Sequence, residues 1–372
     1  MSSTFIAKVL HSKKNVIRIC LIILMPLGII LNKLAGENRG FVERIYSNGI
    51  NRPMRQALSL ITGILPFSLA EVALYCFIGF LIIMIIKFFY NISVKKENLI
   101  ESLKLYIINV FCIISVIYFL FLILWGFNYN RLPFSIITGY KVQPSSVEEL
   151  YDLCSDLIIQ TNNLRDNVYE DERGIMELQE GYKDVFKRSN IGYDLASEKF
   201  QVIGGKYGKP KRVLLSEKMC YTGITGVYFP FTGEANVNVA ATDFMLPATV
   251  LHEMAHQRGF AREDEANYIA YLTCMYHPDF DFKYSGSLLA LIYSMKALRQ
   301  TDYDKYSLLK ENYSDGVKRD LIYLNQFWGQ YEGKVEKAST KINDSYLKSN
   351  GQENGVSSYG RMVDLLLAER RE

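Results

Sequence analysis

The sequence predicts an α-helical anchor of three transmembrane helices followed by a mostly helical α+β domain. Three observations point there: long apolar runs confined to the first third of the chain, helical periodicity with a polar surface beyond residue 144, and two extended stretches between residues 209 and 241, the second glycine-punctuated. Charge divides along the same line. Up to Phe127 there are 13 basic and 5 acidic residues, a balance of +8, whereas from Asn128 onward 29 and 34 leave −5. The basic part suits an anionic bilayer, and the acidic remainder argues against nucleic acid as a partner.

Within residues 1–127, Val16–Ala35, Phe67–Tyr90 and Leu105–Phe127 are each close to the ~20 apolar residues that cross a hydrocarbon core. Lys8, Lys13, Lys14 and Arg18 precede the first run in the manner of a secretory signal. No small-x-small cleavage site follows, so the run reads as an uncleaved anchor. Glu71, near the start of the second run, is expected at the interface or paired with an Arg of the preceding loop. The same N-terminal cations, with Lys87, Lys95, Lys96 and Lys104 around the second connection, put both flanks in the cytoplasm and residues 128–372 outside it. Residues 41–65 place Val42, Ile45, Tyr46 and Ile50 at helical spacing with Arg on the other side, which predicts an interfacial helix.

The turn-rich stretch 128–144 is expected to be a neck, and residues 145–372 the domain proper. Ser145-Ser146-Val147-Glu148 resembles a capping box, so a helix should run from there to about Asn163, with another over 172–188. Residues 209–216 and 223–241 are expected to be extended. Helical period returns over 264–276, 287–299, 314–330, 331–348 and 357–369, with a polar turn at 350–355. Of six cysteines, Cys20, Cys76 and Cys112 fall in the apolar runs. Cys154, Cys220 and Cys274 form no C-x-x-C, so no disulfide framework is expected.

His252-Glu253-Met254-Ala255-His256 carries the chemistry. Residues i and i+4 share a helix face, so both imidazoles can reach one Zn²⁺ while Glu253 addresses the open coordination position as general base. The chain has only four histidines, among them His11 and His277, and a chance H-E-x-x-H is correspondingly rare. Pro247 suits the first turn of this helix, Val250, Leu251, Met254 and Ala255 its buried flank, and Gly259 its end. A third ligand must come from elsewhere; Glu263, Asp264 and Glu265 compete for the place, with Glu263 favoured and Glu265 the alternative. If helix resumes there, Glu263 shares a face with Asn267, Ala270 and Cys274, and Asn267 is placed to hydrogen-bond a ligand histidine.

His252–His256 followed by a helix bearing E-x-x-A-N resembles the Glu-zincin metallopeptidases, in particular the membrane CAAX-prenyl and heat-shock proteases. The first Glu of that second motif is their third ligand, which implies Glu263 and a zincin-like domain. The chain differs from them in the short interval between the motifs and in an extracytoplasmic domain, so their substrates do not carry over. Tyr46-Ser47-Asn48-Gly49, Leu65-Pro66-Phe67-Ser68, Gly226–Asn238 and His252–Asn267 also resemble an uncharacterised family of bacterial three-pass membrane proteins, a likeness that names no reaction.

Gly223–Asn238 lies just upstream of the metal motif. It reads either as an edge strand that holds an extended peptide or as an ordinary core hairpin with glycines at its turns. On the first reading Gly226 lies in the substrate strand, and Glu234, Asn236 and Asn238, alternating on one face, line a polar cleft. Tyr268, Tyr271 and His277 are oxyanion candidates by sequence proximity alone, and Cys220 and Cys274 read as buried small residues. The expected function is a membrane-anchored zinc metallohydrolase, most simply a peptidase acting on peptide or protein. The alternatives are a non-enzymatic anchored sensor or assembly factor that binds peptide or wall fragments, and a hydrolase of a cell-wall amide.

Overall fold

The computed structural model describes residues 13–96 and 98–372, so Lys8 and His11 lie outside the described residues. In chain order its main elements are α1 (Lys13–Glu37), a π-helical stretch Val42–Asn51, α2 (Arg52–Gly63), α3 (Leu69–Ser93), α4 (Leu99–Leu124), α5 (Val147–Arg165), α6 (Gly181–Arg188), α7 (Asn190–Lys199), β1 (Lys211–Arg212), β2 (Gly226–Phe229) and β3 (Glu234–Val237). There follow α8 (Leu246–Gln257), α9 (Glu263–Tyr276), α10 (Phe280–Thr301), α11 (Tyr303–Lys310), α12 (Asp315–Gly329), α13 (Lys334–Ser349) and α14 (Met362–Arg370). The chain forms two compact units: the part up to Asn51 with Ala70–Arg131, and Arg52–Leu69 with Leu132–Glu372.

In the first unit, α1, α3 and α4 are each long and apolar enough to cross a membrane. Their most apolar stretches are only 6%, 6% and 17% buried by protein, as apolar helices surrounded by acyl chains must be. Helix α1 packs along α4, where Gly28 leaves room for Leu122 and Tyr118. A helix end at the edge of a bilayer needs its last carbonyls satisfied. The π-helical stretch does this for α4: Tyr46 donates to the Ile123 carbonyl at 2.8 Å and Asn51 to that of Leu124 at 2.8 Å. Glu43 on the same stretch is buried and takes both Nε and Nη2 of Arg131, at 2.9 and 2.7 Å. Glu71 lies in the first turn of α3 and accepts from the Tyr75 hydroxyl. The expected helix over 41–65 is thus two elements, π-helical to Asn51 and α-helical from Arg52.

The second unit is mostly helical around a three-stranded sheet of order β1-β3-β2, with β1 parallel and β2 antiparallel to the central β3. Helix α8 packs on β2, β3, α9 and α10, and α10 also packs against α5. The α5 start has a capping box one residue later than expected, with Ser146 and Glu149 exchanging bonds. Phe134, in the stretch expected as a neck, is fully buried in this core at the head of a short helix, Phe134–Thr138.

The helix expected over 172–188 begins only at Gly181. Asp171 instead accepts from the amides of Arg173 and Ile175, and Gly174 takes φ +72°, so local turn chemistry overrides helical period. Helix α7, which the periodicity did not suggest, crosses α9 closely enough that a Cβ at Gly192 would meet the Thr273 carbonyl oxygen at 2.3 Å. The strand expected over 209–216 shortens to β1, with Val213 adding one bond to Val237.

Candidate metal centre

Helix α8 carries the His252–His256 motif where the sequence puts it. Pro247 sits in its first turn, and Val250, Leu251, Met254 and Ala255 are fully buried. Gly259 ends it at φ +88°, its amide bonded to the His256 carbonyl at 2.7 Å, and the chain returns directly into α9. That reversal brings Glu263, the first residue of α9, onto the two histidines.

Glu263 Oε2 lies 3.2 Å from His252 Nε2 and 3.3 Å from His256 Nε2, and the two nitrogens are 3.1 Å apart. One donor atom from each of the three residues falls within 4.8 Å of the others, the spacing at which three side chains hold one ion. His256 Nδ1 lies 2.7 Å from the Phe260 carbonyl oxygen, which can only accept, so Nδ1 carries a proton and Nε2 is the nitrogen turned to Glu263. Two imidazole nitrogens and a carboxylate converging in a buried place suit a cation. The electrostatics agree. Burial works against a charged His256, yet facing Glu263 pushes its pKa up to about 9. Burial would likewise raise Glu263, but the two imidazoles bring it down to about 2.

Glu253 is 4% exposed, and its Oε2 is buried with no hydrogen-bond partner. Burial raises its pKa, against the pull of His252 and His256, as a base working near neutral pH requires. Gly226 on β2 faces it at such close range that a Cβ would lie 2.5 Å from Glu253 Cγ and Oε1. Strand β2 is an edge of the sheet, paired on one side only through Gly226↔Val237 to Phe229↔Glu234.

Other expected residues are not on the site. Glu265 turns the other way, accepting from the Phe134 amide at 2.7 Å and facing Arg262 Nε at 3.1 Å. Asn267 is one turn beyond Glu263 as expected, but its amide donates to the Tyr359 carbonyl at 3.1 Å rather than to a ligand histidine. Glu234, Asn236 and Asn238 do not line a cleft. All three are buried, and their partners are internal: Glu234 accepts from the Leu69 amide, Asn236 from the Ser68 hydroxyl, and Asn238 donates to the Ile224 carbonyl. The polar side chains of β3 thus tie the sheet to the segments around it and serve the fold. Tyr268 is fully buried against Phe134 and Tyr140, and His277 stacks on Phe282 at 3.8 Å. Cys220 and Cys274 are fully buried free thiols.

The residues that sequence reasoning missed come from the C-terminal segment. Tyr359 stacks on His252 with ring centroids 6.2 Å apart and planes at 19°. Its phenol stays neutral far into the alkaline range because it is buried and faces Glu263 and Glu253. Gln352, in the polar turn, accepts from the Glu263 amide at 3.1 Å and fixes the start of α9. Their distance from the motif along the chain gave no signal.

Fold and site together define a mostly helical membrane protein with a buried His-His-Glu cluster beside a carboxylate. Over residues 46–367 the chain matches the family described as Protein of unknown function (DUF3810), and it belongs to that family. No curated protein and no solved structure matches it.

Proposed function

We propose that this protein is a membrane-anchored zinc-dependent metallohydrolase, most simply a peptidase of zincin-like fold, with its N-terminus in the bacterial cytoplasm and its metal-bearing unit outside. The observation that carries the proposal is the pairing of three converging donor atoms with the unpartnered buried carboxylate oxygen of Glu253. A purely structural zinc site closes its fourth position and has no use for a base beside it. The orientation rests on the Lys and Arg flanks of the first two spans.

His252, His256 and Glu263 would hold Zn²⁺, which when bound supplies a Lewis acid that polarises a carbonyl and acidifies water. The chain's own residues do the rest. The outer edge of β2, away from β3, offers backbone groups to an extended peptide, Glu253 takes the proton of the attacking water and delivers it to the leaving amine, and the Tyr359 phenol supplies a neutral hydrogen-bond donor for the developing oxyanion.

Purified protein is expected to carry about one zinc per chain, measured by plasma mass spectrometry, and His252→Ala to lose it. Glu253→Gln keeps the metal and loses hydrolysis of a fluorogenic peptide library. Retained hydrolysis in that variant rules out the mechanism, and a wild type that binds zinc but cleaves neither the library nor any membrane protein favours an anchored sensor.

A further inference from the structure

The metal-bearing unit owns a helix turned inside out. Helix α2 buries Arg55, Ser59 and Thr62 against its own unit and leaves Leu60 and Ile61 outward at 47% and 65% exposure, continued past its end by Ile64 at 82% and Phe67 at 48%. The inward contacts are specific. Arg55 Nη1 donates to the Gln257 carbonyl at 2.8 Å, Thr62 to that of Thr232 at 3.0 Å, and the Gly208 amide donates to Ser59 Oγ at 3.1 Å. Lys211 Nζ donates to the Gly63 and Leu65 carbonyls, and Glu234 and Asn236 hold Leu69 and Ser68. A helix against water shows the opposite arrangement, polar side out.

We infer that this outward face is seated in lipid, so that the metal-bearing unit is itself a bilayer-docking module. Three facts select acyl chains as the occupant. Residues 52–69 hold only two charged side chains, Arg52 and Arg55, and both bond inward, Arg52 to the Gly204 carbonyl at 2.8 Å. The exposed residues therefore form an uncharged patch. The first span to follow, α3, begins at Leu69, five residues after Ile64, and five residues reach at most ~18 Å, so this face cannot stand far from where the chain enters the bilayer. Finally, the connection Ile64-Leu65-Pro66-Phe67 is itself apolar and has no cation to hold it among the headgroups. Because Arg55 bonds the residue next to His256, the metal helix is held one helix layer from the acyl chains.

The test uses the full chain in proteoliposomes of phosphatidylcholine with brominated acyl chains. Ile64→Trp and Ile61→Trp each add emission to that of the two native tryptophans, and Leu308→Trp does so from an exposed position on α11. Bromolipid is expected to remove about half or more of the emission added at 61 and 64, as for rings ~5–10 Å into the interface, and to leave that at 308 unchanged; having two positions protects against one variant that fails to fold. Quenching at 61 and 64 by aqueous iodide instead would put the face in water. Protection from both quenchers would show a protein partner or a second copy covering it. Either result overturns the inference.

Discussion

A methyl group added at Gly226 should disable the site while leaving the fold intact. In Gly226→Ala the new Cβ would sit 2.5 Å from Glu253 Cγ and Oε1 and 2.7 Å from Cδ. Ordinary contact needs about 3.5 Å or more, so the carboxylate must retreat by roughly 1 Å. The obstructing atoms are the free end of a flexible side chain, so the strain is relieved by moving the base rather than the backbone. A displacement of that size costs on the order of 10²-fold in rate, or about 2.7 kcal/mol of transition-state stabilisation. The assay is single-turnover cleavage of a peptide library by zinc-loaded protein, with metal content and thermal midpoint measured on the same samples. Zinc content should be unchanged and kcat about 10²-fold lower, and in the Glu253→Gln background the Gly226→Ala change should add almost nothing, because both act on one group. Full activity in zinc-loaded Gly226→Ala would refute the placement of Glu253 as base, and additive losses would show that Gly226 acts through something else.

Tyr359→Phe is expected to retain zinc and KM while lowering kcat by about 10²-fold or more, as loss of an oxyanion donor does; an unchanged kcat assigns Tyr359 to packing on His252 alone. Below about pH 9 the metal-free site holds a proton on His256, which zinc must displace. Apparent zinc affinity should therefore fall about tenfold per pH unit below that value, with proton release visible by calorimetry in buffers of different ionisation enthalpy. In the metal-free protein the same raised pKa adds stability that is complete below the unfolded value of about 6.5 and is lost as pH rises through about 9. If α2 lies in lipid, membrane-embedded substrates should be cut within about ten residues of a span, since an extended chain gains ~3.3 Å per residue. Mapping of cleavage products from wild-type and Glu253→Gln membranes would show cut sites scattered through distant soluble domains if this is wrong.

The parts legible in the sequence are those set by spacing along a single element. Three apolar runs gave three membrane helices, and Pro247 and Gly259 bounded α8 because N-terminal Pro and C-terminal Gly act through their own backbone. The i, i+4 rule placed His252 over His256, and the short reversal after Gly259 left Glu263 as the near carboxylate. What was illegible depends on tertiary partners. A periodic pattern shows that residues 52–63 are amphipathic but not which face meets lipid, and here the Arg side proved to be the inside. Alternation of Glu234, Asn236 and Asn238 looked like a cleft, but Leu69, Ser68 and Ile224 take up those side chains. Asn267 kept its position but found a carbonyl on Tyr359, a residue whose arrival no local pattern announces.

The involvement of Gln352 and Tyr359 also bears on timing. Glu263 is steadied by the Gln352 side chain and His252 is covered by Tyr359, both of which leave the ribosome after the other residues of the site. Domains form as they emerge, N-terminal parts first, so the spans and most of the second unit exist before the centre can close. On the proposed function, the site therefore stays incomplete until Gln352 and Tyr359 have emerged, and loss of either contact should weaken it without touching His252, His256 or Glu263.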